Sequence, residues 1–384
     1  MEARNQDIPF FRPSIGHEEI QAVNEVMRSG WLTSGSKSKE FENKFSNYIG
    51  SGVHSIAVNS ATAALHLALE AFSLEEGDEV IIPTLTFTAT AEVVSYFGAI
   101  PVFVDINPKT FCIDYKKIEP EITEKTKVII PVHFAGLICD MDEITKIAQK
   151  YNLKVLADSA HALPATYKGM GVGVCGADAT AFSFYANKTI TTGEGGMLVT
   201  NDEKIATRAR KMRLHGIDRD VFDRFKDVKS SWYYDVISPG YKYNLTDIAA
   251  SIGIVQLSKA DKFQKERQEK IEIYNNAFKN LPLDLPCGAM KGDIHSWHLY
   301  IIKLNENSKI NRNKLSEKLK ENGIGHSVHY RPLHQMSAWK SYCKRKKFPN
   351  ADLVFDNIIS LPLFTTMKYS EQNRIIEVVK DLLS

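Results

Sequence analysis

The chain has 384 residues, with 48 Lys and Arg against 46 Asp and Glu and a formal net charge of +2. It therefore carries no field that would gather nucleic acid or an anionic membrane surface. Hydrophobic residues make up 43% and charged residues 24%, an ordinary globular balance with enough chain for two domains. Cys112, Cys139, Cys175, Cys287 and Cys343 show no CxxC and no paired spacing, which points to reduced thiols rather than disulfides or a zinc site. The N-terminal MEARNQDIPFFRP lacks the apolar centre of a signal peptide, and no run approaches the ~18–20 apolar residues of a membrane span. The expectation is a cytoplasmic protein without metal, membrane or nucleic-acid partner. Lys344 to Lys347 (KRKK) reads as a solvated loop.

In chain order, residues 1–15 read as an extended arm, because Pro9 and Pro13 block regular structure. His17 to Ser29 is amphipathic, with Ile20, Val23 and Val26–Met27 on one face. A Gly/Ser loop around Trp31 follows, fitting either ligand contact or core packing, and then a helix carrying Phe41, Phe45 and Tyr48. From Ser55 short Val/Ile-rich runs alternate with helices: HSIAVNS, EVIIP, PVFVDI, KVIIPVHF, KVLADSA, ADATAFSFY and GMLVT are the predicted strands. Helices are predicted from TAALHLALEAF, over Ala89–Phe97 and over Met141–Tyr151. That alternation predicts an α/β domain over residues 16–255, a mostly parallel seven-stranded sheet covered on both faces. Its loops after the strands share one edge, where such sheets bind ligands. Gly216–Pro239 reads as a polar, aromatic excursion, and TDIAASIGIVQLSKADKFQKERQEKIEIYNNAFKNL as one or two long helices. Beyond Pro286, a strand (WHLYIIKL), a helix (RNKLSEKLKEN), a short strand (SVHY) and a helix over Glu371–Leu383 predict a smaller α+β domain over 256–384.

Four features of the sheet region carry chemistry. Asn59-Ser60-Ala61-Thr62-Ala63-Ala64 joins a strand to a helix, and a Ser/Thr-capped helix start offers free N–H groups to a phosphate. Neither GxGxxG nor GxxxxGK[ST] is present at a first βα turn, which lowers the dinucleotide and P-loop readings. Asp158 ends the strand KVLAD, where a buried carboxylate needs a cation or donor, unless it merely caps a helix. Phe87 in PTLTFTATAE stands at a strand exit, as core or as a surface for a flat ring. Lys188 follows the strand ATAFSFY, together with Ser183, and faces a Thr-Thr-Gly-Glu-Gly-Gly turn; a confined amine of this kind suits Schiff-base chemistry. Phosphate, ring face, ring nitrogen and aldehyde together describe pyridoxal phosphate.

On these residues and on GWLTSG, VNSATAALHLAL, PVHFAG, DSAHA, FSFYANKTITTGEGG, RLHGI, GYKYNLTDI, SWHLYII, GIGHSVHY and SLPLF, the chain resembles the DegT/DnrJ/EryC1/StrS family. These are fold type I pyridoxal-phosphate aminotransferases acting on sugar nucleotides. SATAALH, DSAHA, GYKYNLTDI and SWHLYII look most like the branch that makes UDP-4-amino-4-deoxy-L-arabinose. The resemblance implies that Lys188 forms the internal aldimine, Asp158 keeps the pyridine nitrogen protonated and His161 lies near the ring's phenolic oxygen. It also implies that Thr62, Ala63 and Ser183 bind the phosphate, and that Phe87 stacks on the ring. Trp31, His329 and Tyr330 fall in loops that contact the sugar nucleotide in the family. The chain departs from the family pattern at three places. Gly240-Tyr241-Lys242-Tyr243-Asn244 stands where GYNYR is common and a second subunit reaches the phosphate, leaving Lys242 and Asn244 as candidates. Tyr185-Ala186-Asn187 replaces a frequent His-Pro-Val or His-Ala-Ile, and Phe87 replaces the tryptophan of the arabinose branch.

The implied activity is ping-pong transamination of a nucleotide-linked 4-keto sugar by a homodimer, with glutamate as donor and 2-oxoglutarate as co-product, for glycan or polysaccharide synthesis. Lys188 would shuttle the proton. A sugar 3-dehydratase would carry histidine in place of Lys188. A 3-keto sugar aminotransferase and a non-catalytic family member are the other readings.

Overall fold

The computed structural model describes residues 7–50, 52–218, 234–343 and 346–384; residues 219–233 of the expected excursion and 344–345 of the basic run lie outside them. The arm before α1 (His17–Ser29) docks at Ile8, which exchanges backbone bonds of 2.8 Å with Gly323 and Gly325. α2 (Ser36–Ile49) buries Phe41 and Phe45. Then β1 (His54–Val58), α3 (Ala61–Ala71), β2 (Glu79–Pro83), α4 (Ala89–Ser95), β3 (Ile100–Val104) and β4 (Thr126–Ile129) alternate. α5 (Met141–Tyr151), β5 (Lys154–Asp158), a small hairpin of β6 (Thr166–Tyr167) and β7 (Met170–Gly171), β8 (Ala179–Ser183), β9 (Gly196–Thr200) and α6 (Glu203–Met212) complete this part.

The seven-stranded sheet has the order β1-β9-β8-β5-β4-β2-β3. Every neighbouring pair is parallel except those made by β9, which runs against β1 and β8. In β1 and β2 the last four residues are buried, as expected of strands covered on both faces. α3 is apolar all round, buried from Ala63 through Leu69, and its small side chains let it lie close on β8 and β9. A Cβ at Gly196 would come within 2.5 Å of the Ser60 carbonyl carbon and oxygen, so only glycine lets β9 pass the start of α3 at this spacing.

The long helical segment is two helices, α7 (Asp247–Ser258) and α8 (Ala260–Phe278). A second apolar cluster forms around Tyr274, Phe278 and Tyr300, on a three-stranded antiparallel sheet of β10 (Leu283–Asp284), β11 (Tyr300–Leu304) and β12 (Ile358–Leu361). α9 (Arg312–Glu321), α10 (Pro349–Asn357) and α11 (Tyr369–Leu383) cover it. SVHY, expected as a strand, makes a single bridge between Ser327 and Ser360. The ladder position belongs instead to β12, a four-residue apolar run that sequence periodicity alone cannot assign. The C-terminal part is tied to the first sheet: Asp105, just after β3, accepts from Asn350 N (3.1 Å) and Ala351 N (2.9 Å) at the start of α10, whose Ala351 and Val354 join the first apolar cluster.

Candidate active site

At the edge where β1, β2, β5 and β8 end and β9 begins, the chain encloses a cavity of about 550 Å³. Its wall includes Thr62, Phe87, Asp158, His161, Ser183 and Lys188, and His329 and Tyr330 close it from the C-terminal side. Two surface grooves are larger, about 720 and 810 Å³. Neither holds a lysine opposite a buried carboxylate, and their arginines Arg208, Arg210 and Arg213 are paired with Glu70, Glu203 and Glu42.

The phosphate-type end is the start of α3. Ser60 is extended and its Oγ accepts from Ala63 N at 3.0 Å, the usual capping bond. The Ala63 N–H, expected at the phosphate, is thus engaged within the chain, and Ala63 does not line the cavity. The N–H groups of Ala61 and Thr62, in the first helical turn, make no hydrogen bond among the described residues, and both residues line the cavity. Across from them, Ser183 Oγ accepts from Tyr185 N at 3.3 Å, which leaves its own proton available to the cavity.

At the opposite end Asp158 is 6% exposed. Its Oδ1 accepts from Ala160 N (3.1 Å) and its Oδ2 from Thr90 Oγ1 (2.9 Å). Burial pushes its pKa up, against those two bonds and the charge of Lys188. Lys188 is set by a turn in which its N–H bonds Tyr185 O at 2.9 Å, while Thr191 Oγ1 closes onto Phe184 O at 3.0 Å. Its ammonium makes no hydrogen bond among the described residues, and burial lowers its pKa to about 8 although Asp158 pulls the other way. An amine near neutrality opposite a buried carboxylate can attack a carbonyl and then move protons.

His161 lies between the two parts of the chain. Its Nδ1 accepts from Ala135 N (3.3 Å), which leaves the proton on Nε2, 3.1 Å from Tyr330 Oη. The His298 ring packs 4.4 Å from it, and Ser296 Oγ donates to its carbonyl at 2.5 Å. Burial first, then the Lys188 charge, holds its pKa well below the ordinary histidine value, so the ring is neutral at pH 7. His329, held by Ser360 at 2.8 Å, is lowered to about 4, chiefly by burial.

Phe87 is 57% exposed, an apolar ring left uncovered on the cavity wall, 5.8 Å from Tyr330. Trp31 does not line the cavity. Its Nε1 donates to Ser34 O (3.1 Å) and lies 2.2 Å from where a Cβ on Gly35 would stand. Asn244 is also outside, its amide donating to Ser34 Oγ at 2.8 Å, and the Lys242 side chain is exposed. Sequence reasoning missed Thr90, Ala135, Ser296 and His298. Only the repeated threonines of PTLTFTATA and the two histidines of HSWH could have drawn attention to them.

With this geometry in place, the comparisons with known proteins agree. The model of the DegT/DnrJ/EryC1/StrS aminotransferase family matches residues 13–380. The chain is 43% identical over 387 residues to the spore coat polysaccharide biosynthesis protein SpsC of Bacillus subtilis, covering 100% of this chain and 99% of that one. It is similar to Streptococcus pneumoniae Spr1654, assigned as a sugar aminotransferase and solved in PMP and PLP forms. The PMP form superposes with a TM-score of 0.91 at 37% identity, covering 98% of this chain and 99% of that one. Helicobacter pylori PseC, an aminotransferase of pseudoaminic acid biosynthesis, gives 0.90 at 31% identity, with 98% and 99% covered.

Proposed function

Because the chain belongs to the DegT/DnrJ/EryC1/StrS aminotransferase family, we propose that it is a pyridoxal-phosphate sugar-nucleotide aminotransferase. It would move an amino group from L-glutamate to a nucleotide-linked 4-keto sugar, UDP-linked by preference, for surface polysaccharide, lipopolysaccharide or another glycan. The observation that carries the reading is the Lys188 amine, without a hydrogen bond among the described residues and lowered to about 8, opposite the buried Asp158.

The cavity suits the cofactor at each end. Lys188 would hold its aldehyde carbon, Asp158 its ring nitrogen and His161 its phenolic oxygen. The Ala61 and Thr62 N–H groups, with the Thr62 and Ser183 hydroxyls, would hold its phosphate, and the uncovered Phe87 ring would lie against its face. When bound, pyridoxal phosphate supplies a carbonyl for amine exchange and a ring that spreads the electron pair released at a donor's Cα. Asp158 stays anionic to keep a proton on the ring nitrogen, and its donors at Ala160 and Thr90 support that charge. Lys188, with a pKa about 8, would take a proton from the donor's Cα and return it at the cofactor's aldehyde carbon, on the other side of the transferred nitrogen. His329 and Tyr330, both on the cavity wall, would meet the sugar, with Phe87 and Tyr330 shielding it from water.

The reading includes a homodimer with shared sites. Of the two candidates for the partner's phosphate, Asn244 is engaged with Ser34 and Lys242 is exposed, which favours Lys242. With all five cysteines unpaired, the proposal places the reaction in the cytoplasm.

The purified chain should be yellow with bound cofactor and bleach on addition of L-glutamate, and Lys188→Ala should lose both the absorbance and turnover while remaining folded. Coupled turnover on a panel of UDP- and dTDP-linked 4-keto and 3-keto sugars would identify the acceptor. A folded Lys188→Ala protein that still turns over would refute the assignment, and preference for a 3-keto sugar would replace the 4-keto acceptor.

A further inference from the structure

The PTLTFTATA stretch lends Phe87 and Thr86 to the cavity wall, and it also buries Thr90, which does not line the cavity. Thr86 is 1% and Thr90 0% exposed. Thr90 Oγ1 donates to Asp158 Oδ2 at 2.9 Å, and the Thr86 and Thr90 hydroxyl oxygens lie 2.9 Å apart. A hydroxyl has one proton, and an ionised carboxylate can only accept. The Thr90 proton therefore points at Asp158, and Thr86 must be the donor to Thr90. The chain of hydrogen bonds runs one way, from Thr86 through Thr90 to the carboxylate. The other carboxylate oxygen is held by Ala160 N at 3.1 Å, so the carboxylate plane is fixed from two sides. We propose that Thr90, oriented by Thr86, is a positioning residue that keeps the Asp158 carboxylate charged and turned to meet a cationic ring nitrogen.

What that carboxylate meets rests on the cofactor reading above; that Thr90 holds it does not. Burial pushes the Asp158 pKa up, and Thr90 is the side-chain hydroxyl that opposes it. The titratable groups facing Asp158 are Lys188 from the loop after β8 and Tyr330 from the C-terminal side. Lys188 favours the charge, and Tyr330 stays a neutral hydroxyl because burial raises its pKa. A shape-filling threonine with an incidental bond is the competing explanation. Valine keeps the shape and removes the bond, whereas serine keeps the bond and removes a methyl.

Two measurements test the inference on full-length protein. In the cofactor-free chain, the Asp158 carboxyl carbon, isotope-labelled and assigned by its loss in Asp158→Asn, should titrate at higher pH in Thr90→Val than in wild type or Thr90→Ser. After reconstitution, Thr90→Val should bind pyridoxal phosphate about tenfold or more weakly, the range set by losing a hydrogen bond to a charged group, and Thr90→Ser should recover most of the loss. An unchanged Asp158 titration in Thr90→Val, or equal losses in the valine and serine variants, would overturn the inference. If wild type takes up no pyridoxal phosphate, the cofactor reading fails, and the Asp158 titration still decides the role of Thr90.

Discussion

Lys188 gains its reactivity from its surroundings. A surface lysine titrates near 10.4, and burial brings this one to about 8. Reductive methylation of the cofactor-free chain with formaldehyde, mapped by mass spectrometry, should therefore label Lys188 with a rate that rises through about pH 8. Surface lysines should follow some two pH units later. In Asp158→Asn the opposing charge is gone, so the Lys188 midpoint should move lower still. A Lys188 profile that matches the surface lysines would contradict the picture. At this scale the sequence was informative wherever a residue's role depends on its own strand. Asp158 ends β5 and Lys188 lies in the loop that follows β8, and both stand out in the sequence as charges after apolar runs. That the Ala63 N–H is engaged by the Ser60 hydroxyl is not legible in the same way, because which N–H groups a cap leaves free is a matter of bond direction.

Among the elements, the start of α3 is built by contact with β9 as much as by its own cap. Gly196→Ala would drive a Cβ into the Ser60 backbone, within 2.5 Å of its carbonyl carbon and oxygen, and one of the two elements must shift. The expected result is a folded protein, destabilised by about 1–3 kcal/mol through overpacking. Affinity for pyridoxal phosphate should fall more than in Thr62→Val, which loses one hydroxyl and leaves the helix in place. Chemical denaturation and equilibrium dialysis measure the two effects. The second decisive element is the 295–298 segment. Trp297 adopts a left-handed φ of 50°, and Arg267 Nη1 holds its carbonyl at 3.0 Å. Strain of this kind persists only where neighbours over-determine it, and here the segment delivers Ser296 and His298 to His161. Neighbouring letters in HSWH suggest a strand entrance; they do not show a brace for a residue more than 130 positions earlier.

Over the whole molecule, burial has collected neutral histidines. His66, His133, His161, His295, His298 and His329 are all buried, each with its pKa pushed down chiefly by desolvation. A depressed folded-state pKa means that the unfolded chain binds protons first. The stability these groups permit is complete above about pH 6.5 and is lost as pH falls toward their folded values. At pH 5.5 each unfolded histidine gains about 1.4 kcal/mol, so six together approach the whole stability of an ordinary domain. The urea midpoint of the cofactor-free chain should therefore drop steeply between pH 7.5 and 5.5; a flat profile would mean that these rings are protonated in the fold. The sequence by itself determined the alternation of strands and helices, the edge where their ends gather, and the amine and carboxylate placed there. Those depend on local periodicity and on what may end a buried strand. Only the tertiary structure decided which N–H groups face the cavity, that Trp31 and Asn244 lie outside it, and that Thr90, Ser296 and His298 stand behind its charges. Such facts depend on directed contacts between segments far apart in the chain, and side-chain identity carries no record of direction.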